Sequence, residues 1–136
     1  MTQTSHTVLI VEDEPSLSEA LKDKFTREGF HALVARNGEE GLKLAQEKIP
    51  SVILLDIVMP KMDGVTVFKK LQENQDTANI PVIFLTNLSN AEQVAEEIGT
   101  GNYQYLVKSD WDMKDVVGKV RATMHEKHGV AWTVEE

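Results

Sequence analysis

The chain has 136 residues, 41% hydrophobic and 26% charged, which fits one compact domain that can bury a core without disulfides or a structural metal. It contains no cysteine, so a thiol nucleophile, a disulfide framework and a cysteine-held zinc are excluded. A formal net charge of −8 makes nucleic acid a poor partner, because neutralising phosphates requires a lysine or arginine patch.

The polar start, Met1 to His6, lacks the basic-then-apolar pattern of a signal peptide and reads as a flexible N-terminus over residues 1–6. Val8 to Val11 then reads as a buried strand. Pro15 suits a first helical turn, and Leu17, Leu21 and Phe25 recur every four residues along one apolar face. Gly29 ends that helix. His31 to Ala35 is a weaker, β-compatible run. Leu42, Ala45 and Ile49 mark a second helix, closed by Pro50. Val52 to Leu55 is the next strand, followed by a helix marked by Val67, Phe68 and Leu71. Val82 to Leu85 is another strand, and Asn90 caps a helix marked by Ala91, Val94, Ala95 and Ile98. Tyr105 to Val107 closes the strand set. The last helix carries Val116, Val120 and Met124, with Met113 and Val117 on the adjoining row. No apolar run is long enough to span a bilayer, so no membrane insertion and a cytoplasmic location are expected.

Strand and amphipathic helix thus alternate five times. That order predicts an α/β fold, (βα)5, with a parallel sheet covered on both faces and right-handed crossovers. Ligand sites in such sheets lie beyond the carboxyl ends of the strands. Glu12, Asp13 and Glu14 follow the first strand, Asp56 the third, Thr86 and Asn87 the fourth, and Lys108 the fifth. Carboxylates, a hydroxyl and an ammonium from distant parts of the chain are therefore expected on one edge.

Asp56 interrupts the apolar stretch Val52 to Met59, where an unpaired carboxylate would be costly. Two like charges about 5 Å apart repel by roughly 3 kcal/mol at an effective dielectric near 20. Glu12, Asp13 and Asp56 crowded together therefore call for a cation or a retained proton. Oxygen-only donors suit Mg²⁺ better than zinc or copper. The plain alternative, a solvated acidic loop at a helix N-terminus, explains Glu14 well but leaves Asp56 unexplained. Lys108 and Thr86, taken singly, are ordinary strand-end residues. Their case rests on standing opposite the acids. The four histidines form no ligand set; His125 and His128 sit near a helix C-terminus, where the dipole favours them.

Four segments carry a resemblance over roughly residues 7 to 126. They are Val8-Leu-Ile-Val-Glu-Asp-Glu14, Pro50-Ser-Val-Ile-Leu-Leu-Asp-Ile-Val-Met-Pro-Lys-Met-Asp-Gly64, Ile80-Pro-Val-Ile-Phe-Leu-Thr86 and Tyr105-Leu-Val-Lys108. Together they resemble the receiver domain of bacterial response regulators, the CheY-like family. The resemblance implies a doubly wound five-stranded sheet in flavodoxin-like order 2-1-3-4-5, with the receiver domain over 7–128 and a tail over 129–136. It implies that Asp56 accepts a phosphoryl group from a histidine kinase or phosphotransfer protein. It also implies a Mg²⁺ site, with Mn²⁺ as a substitute, made by Glu12, Asp13, Asp56 and the Val58 backbone carbonyl. Lys108 would neutralise the phosphoryl oxygens, Thr86 would be the switch hydroxyl, and Tyr105 the aromatic that follows it.

Such a chain is a signalling protein of a two-component phosphorelay rather than an enzyme. It is expected to be free-standing, because Gly129 to Glu136 is too short to fold alone. Its implied output is a protein partner, docked on the surface of the fourth helix, fifth strand and fifth helix, as a monomer or a phosphorylation-dependent dimer. Trp111 and Trp132 are candidates for contact there. A swing from 1% to 99% active needs about 5.5 kcal/mol. One charge-assisted hydrogen bond supplies about 1.5–3 kcal/mol, so Thr86 alone does not complete the switch.

The chain departs from the family pattern at four places. Ser109 stands where a proline usually follows the lysine, so a trans bond is expected there. Asn87 replaces a small residue. Val58 and Leu88 are apolar where they flank the pocket, which predicts slow hydrolysis of the phosphorylated form. Two other readings stand beside the switch. One is a receiver-like binding scaffold not regulated by phosphorylation. The other is a flavodoxin-like cofactor protein or small hydrolase, which is disfavoured because no glycine-rich loop follows the first strand.

Overall fold

Five short apolar runs pair side by side in parallel, in the order β2-β1-β3-β4-β5. The computed structural model describes residues 6–86, 96, 103–107 and 112–128. In chain order the elements are β1 (Thr7–Val11), α1 (Pro15–Arg27), β2 (His31–Ala35), α2 (Gly38–Lys48), β3 (Val52–Asp56), α3 (Gly64–Glu73), β4 (Val82–Thr86), β5 (Tyr103–Val107) and the C-terminal helix α4 (Met113–His128). The predicted doubly wound order is therefore present. The helix expected from Ala91, Val94, Ala95 and Ile98, with its cap Asn90, falls outside the described residues. So do the tail over 129–136, the N-terminal residues 1–5, and Trp111 and Trp132.

The central strands β1, β3 and β4 are buried on both faces, which is why they read as continuous apolar runs and not as alternations, whereas the edge strands β2 and β5 are partly exposed. On one face Leu9, Val11, Ile53, Leu55, Val82 and Phe84 meet Ala45 of α2 and Val67, Phe68 and Leu71 of α3. On the other, Val8, Ile10, Val52, Leu54, Ile83 and Leu85 meet Leu21 and Phe25 of α1 and Val116, Val120 and Met124 of α4. The rows expected on the first, third and last helices thus face the core, with Leu17 and Met113 at their ends partly buried. Full burial of one such side chain contributes roughly 1.5–3 kcal/mol.

Three details differ from the sequence expectation. Ile49 does not extend α2; it caps it in the left-handed region at φ 43, donates its N–H to the Ala45 carbonyl, and is 47% exposed. Pro50 then prevents helix continuation. Strand β5 begins two residues before Tyr105, at Tyr103, which packs edge-to-face on Phe68 and Phe84 with ring centroids 5.5 and 5.6 Å away. Asp56 and Thr86 are the last residues of β3 and β4, not the first residues of loops.

Local devices hold the helix ends. Pro15 opens α1, where its missing N–H costs nothing. Asn37 caps α2 by accepting the Glu40 N–H at 2.9 Å, and Asp63 caps α3 by accepting the Thr66 N–H at 2.8 Å. Glu28, after α1, binds Lys24 at 3.2 Å and Arg121 of α4 at 2.6 Å, tying the two helices on that face together. No helix among the described residues is long and apolar enough to cross a membrane.

Candidate functional site

The parallel register decides which side chains meet at the carboxyl edge. Val11 of β1 stands opposite Leu55 of β3, so Glu12 and Asp56 follow one step later on adjacent strands. Asp56 in turn pairs with Leu85 of β4, and Thr86 with Val107 of β5. Lys108 is the next residue after Val107; it lies outside the described residues, as do Ser109, Asn87 and Leu88. For Thr86 the backbone is described and the side chain is not.

Carboxylate oxygens of Glu12, Asp13 and Asp56 all lie within 4.8 Å of one another. Glu12 and Asp56 are buried at 1% and 5% exposure, while Asp13 stands on the open side. The Glu12 N–H donates to the Ala35 carbonyl at 3.0 Å, which fixes the chain as it leaves β1. Its Oε2 accepts the Glu14 N–H at 3.1 Å, so the side chain turns back over its own loop. Three carboxylates this close repel by roughly 3 kcal/mol per pair at an effective dielectric near 20.

The donor set is oxygen only, and the acids come from two adjacent strand ends. That is the chemistry a hard divalent cation requires, and it suits Mg²⁺ or Mn²⁺ over softer metals. The residues therefore fit the cation that the sequence implied. Glu14 is exposed and belongs to the helix start, as the plain reading of that residue has it.

The loop from Ile57 to Asp63 leaves Asp56 and returns at once to α3. The Gly64 N–H donates to the Ile57 carbonyl at 2.8 Å, and a Cβ on Gly64 would collide with the Asp56 carbonyl oxygen. Only glycine allows α3 to start this near the strand. Lys61 sits at φ 72, and the Met62 N–H donates to the Pro60 carbonyl at 2.8 Å, which makes a tight three-residue turn. A non-glycine residue in this region costs on the order of 1–3 kcal/mol, so the surroundings hold the loop in place. Val58 projects outward, 63% exposed, while Ile57 and Met59 on either side are buried.

Tyr105 is 43% exposed on β5. Tyr103, two residues earlier, was not singled out by the sequence reading; its hydroxyl pKa is raised by burial and, secondarily, by Tyr105. The signal for it was the aromatic at every second position, Tyr103 and Tyr105, which a period of two would have joined into one strand. Gly38 and Gly64 were also missed as contact points, because a close approach leaves no mark in an isolated sequence.

The comparisons with known proteins agree with this geometry. The family model described as "Response regulator receiver domain" matches residues 8–121. The transcriptional regulatory protein SrrA of Staphylococcus aureus is 36% identical over 132 residues, covering 97% of this chain and 52% of that protein. The DNA-binding dual master transcriptional regulator RpaA of Synechocystis is 32% identical over 117 residues, covering 86% of this chain and 48% of that protein. The chain thus spans about half the length of the curated relatives it matches. The receiver domain of the Francisella response regulator 1452 superposes with a TM-score of 0.79 at 29% identity, covering 90% of this chain and 98% of that one. The chemotaxis protein CheY4 of Vibrio cholerae, at 23% identity and TM-score 0.78 over 88% of this chain and 99% of that one, shares the fold. With its acidic cluster, its register and these matches in agreement, the chain belongs to the response regulator receiver domain family of two-component systems.

Proposed function

We propose that Asp56 accepts a phosphoryl group from a histidine kinase or phosphotransfer protein and that the phosphorylated domain binds its partner differently. The observation that carries this is the convergence of Glu12, Asp13 and Asp56 within 4.8 Å at the carboxyl edge of a receiver sheet. An Asp56 carboxylate oxygen forms the new bond to phosphorus as the bond from phosphorus to the donor's imidazole nitrogen or acyl oxygen breaks. The leaving group departs on the opposite side. Such a transfer asks little covalent chemistry of the protein, only positioning and neutralisation of charge.

Glu12, Asp13, Asp56 and the Val58 carbonyl are the groups proposed to hold Mg²⁺. When bound, the cation supplies positive charge against the phosphoryl oxygens. Burial of Glu12 and Asp56 strengthens every charge interaction in the pocket. Lys108, next after β5, is proposed to bind one phosphoryl oxygen, and the Thr86 hydroxyl another. Movement of Thr86 is proposed to release Tyr105 and alter the surface of β5 and α4. The domain is taken as residues 7–128, acting in the cytoplasm. The output is proposed for this domain itself; DNA binding is a property printed for a longer relative.

The test is beryllofluoride, a mimic of the phosphoryl group, added with Mg²⁺ and followed by amide NMR. Large shifts at Asp56, Thr86 and Tyr105 that vanish in Asp56→Asn are expected. Unchanged spectra on addition of beryllofluoride would favour a binding scaffold that takes no phosphate.

A further inference from the structure

Gly38 is the first residue of α2, directly after the Asn37 cap. Its backbone is not in the left-handed region, which among the described glycines is occupied by Gly29. Space, not conformation, therefore excludes a side chain there. A Cβ would lie 2.5 Å from the Met62 carbonyl oxygen, 2.9 Å from Met62 Cβ and 2.8 Å from Val67 Cγ2. Two of those three atoms belong to the loop that leads from Asp56 to α3, and one is backbone, which cannot swing aside as a side-chain tip can.

The loop is thus held at three places. Gly64 pins its end to Ile57 and lies against the Asp56 carbonyl. The Pro60–Met62 turn stiffens its middle. Gly38 seats Met62 against the first turn of α2. Val58, whose carbonyl is the proposed fourth cation ligand, lies between these supports.

We infer that Gly38 is a positioning residue for the cation site, acting through Met62 on the loop that presents the Val58 carbonyl. The inference rests on the reading that Glu12, Asp13, Asp56 and that carbonyl hold a divalent cation. A methyl group at residue 38 forces Met62 outward by its backbone. The Val58 carbonyl then moves relative to three carboxylates that are themselves unaltered. Groups that orient metal ligands from behind typically change affinity 10–100-fold, and one displaced ligand among four places the effect at the lower end.

The experiment titrates Mg²⁺ and Mn²⁺ into the full chain by calorimetry and records thermal midpoints in chelator. It compares wild type with Gly38→Ala and with Val67→Ala. Val67→Ala removes the other neighbour of Gly38 and loosens the core while leaving the loop backbone alone. Gly38→Ala is expected to weaken both cations about tenfold, whereas Val67→Ala lowers the midpoint and keeps affinity within about twofold. If Gly38→Ala does not fold, Asn37→Ala carries the test. It removes the 2.9 Å cap to the Glu40 N–H, loosens the same first turn, and is expected to weaken cation binding more than Val67→Ala does. Wild-type affinity in Gly38→Ala, or in Asn37→Ala where it stands in, overturns the inference alone. A wild type that binds neither cation overturns the cation-site reading with it.

Discussion

Gly64 lies so close to the Asp56 carbonyl that no β-carbon fits between them. The start of α3 and the end of β3 are therefore held against each other, and the loop between them has little freedom of its own. Gly64→Ala must separate the two backbones or distort the loop. A destabilisation of about 1–3 kcal/mol is expected, as for other overpacked sites, measured by urea unfolding. A midpoint equal to wild type would show that the contact is slack.

Gly118 offers the opposite case. It is exposed in the middle of α4, and a Cβ there would meet nothing within 4 Å. Glycine in a helix interior is less favourable than alanine by about 0.8–1.0 kcal/mol. Gly118→Ala is expected to stabilise the domain by about that amount in the same urea assay, with no change in cation affinity. Destabilisation would mean that the α4 backbone at this residue departs from regular helix.

On the proposed function, Val58 is expected to govern how long the phosphoryl group lasts. Its side chain is 63% exposed, two residues after Asp56, and offers water no polar partner. Val58→Asn should orient water near the phosphorus and shorten the life of the phosphorylated protein, and Leu88→Glu is expected to act likewise. General acid–base or water-orienting groups contribute on the order of 10²-fold or more at full effect, so a change of about tenfold is within reach. Decay no faster than wild type in either variant sinks this idea.

Stability should respond to pH at two residues outside the acidic cluster, Glu28 and Tyr103. Glu28 is held below its ordinary value of 4.5, first by the hydrogen bond from Lys24, with burial opposing it, and then by the hydrogen bond and charge of Arg121. A lowered folded value contributes stability above 4.5 that is lost as pH falls through the folded value. The advantage of wild type over Glu28→Gln should therefore shrink below pH 4.5 in acid unfolding. Tyr103 is shifted the other way, above its ordinary 10.0, by burial first. Its contribution is complete below pH 10.0 and falls as pH rises beyond it, and Tyr103→Phe should remove that alkaline loss.

How much of this was legible follows from the kind of contact involved. The sheet was readable because parallel strands buried on both faces must be apolar throughout, and Val8–Val11, Val52–Leu55 and Val82–Leu85 have no other use for such runs. The acidic cluster was readable because a parallel register carries strand-end residues to one edge whatever the loops do. The spacing of two from Tyr105 could have put Tyr103 on the strand, but not its packing, because its ring partners Phe68 and Phe84 lie 35 and 19 positions away. Ile49 misled because its spacing from Ala45 is helical while its backbone turns left-handed to end the helix. Gly38 and Gly64 are marked only by what approaches them, which is a tertiary fact.

The central claim is that Asp56 takes the phosphoryl group. Its most direct measurement is the intact mass of the protein after incubation with Mg²⁺ and acetyl phosphate, with Asp56→Asn run in parallel. The account predicts a gain of one phosphoryl group in wild type, its loss when Mg²⁺ is chelated beforehand, and no gain in Asp56→Asn. No gain in wild type, or an equal gain in Asp56→Asn, would contradict it.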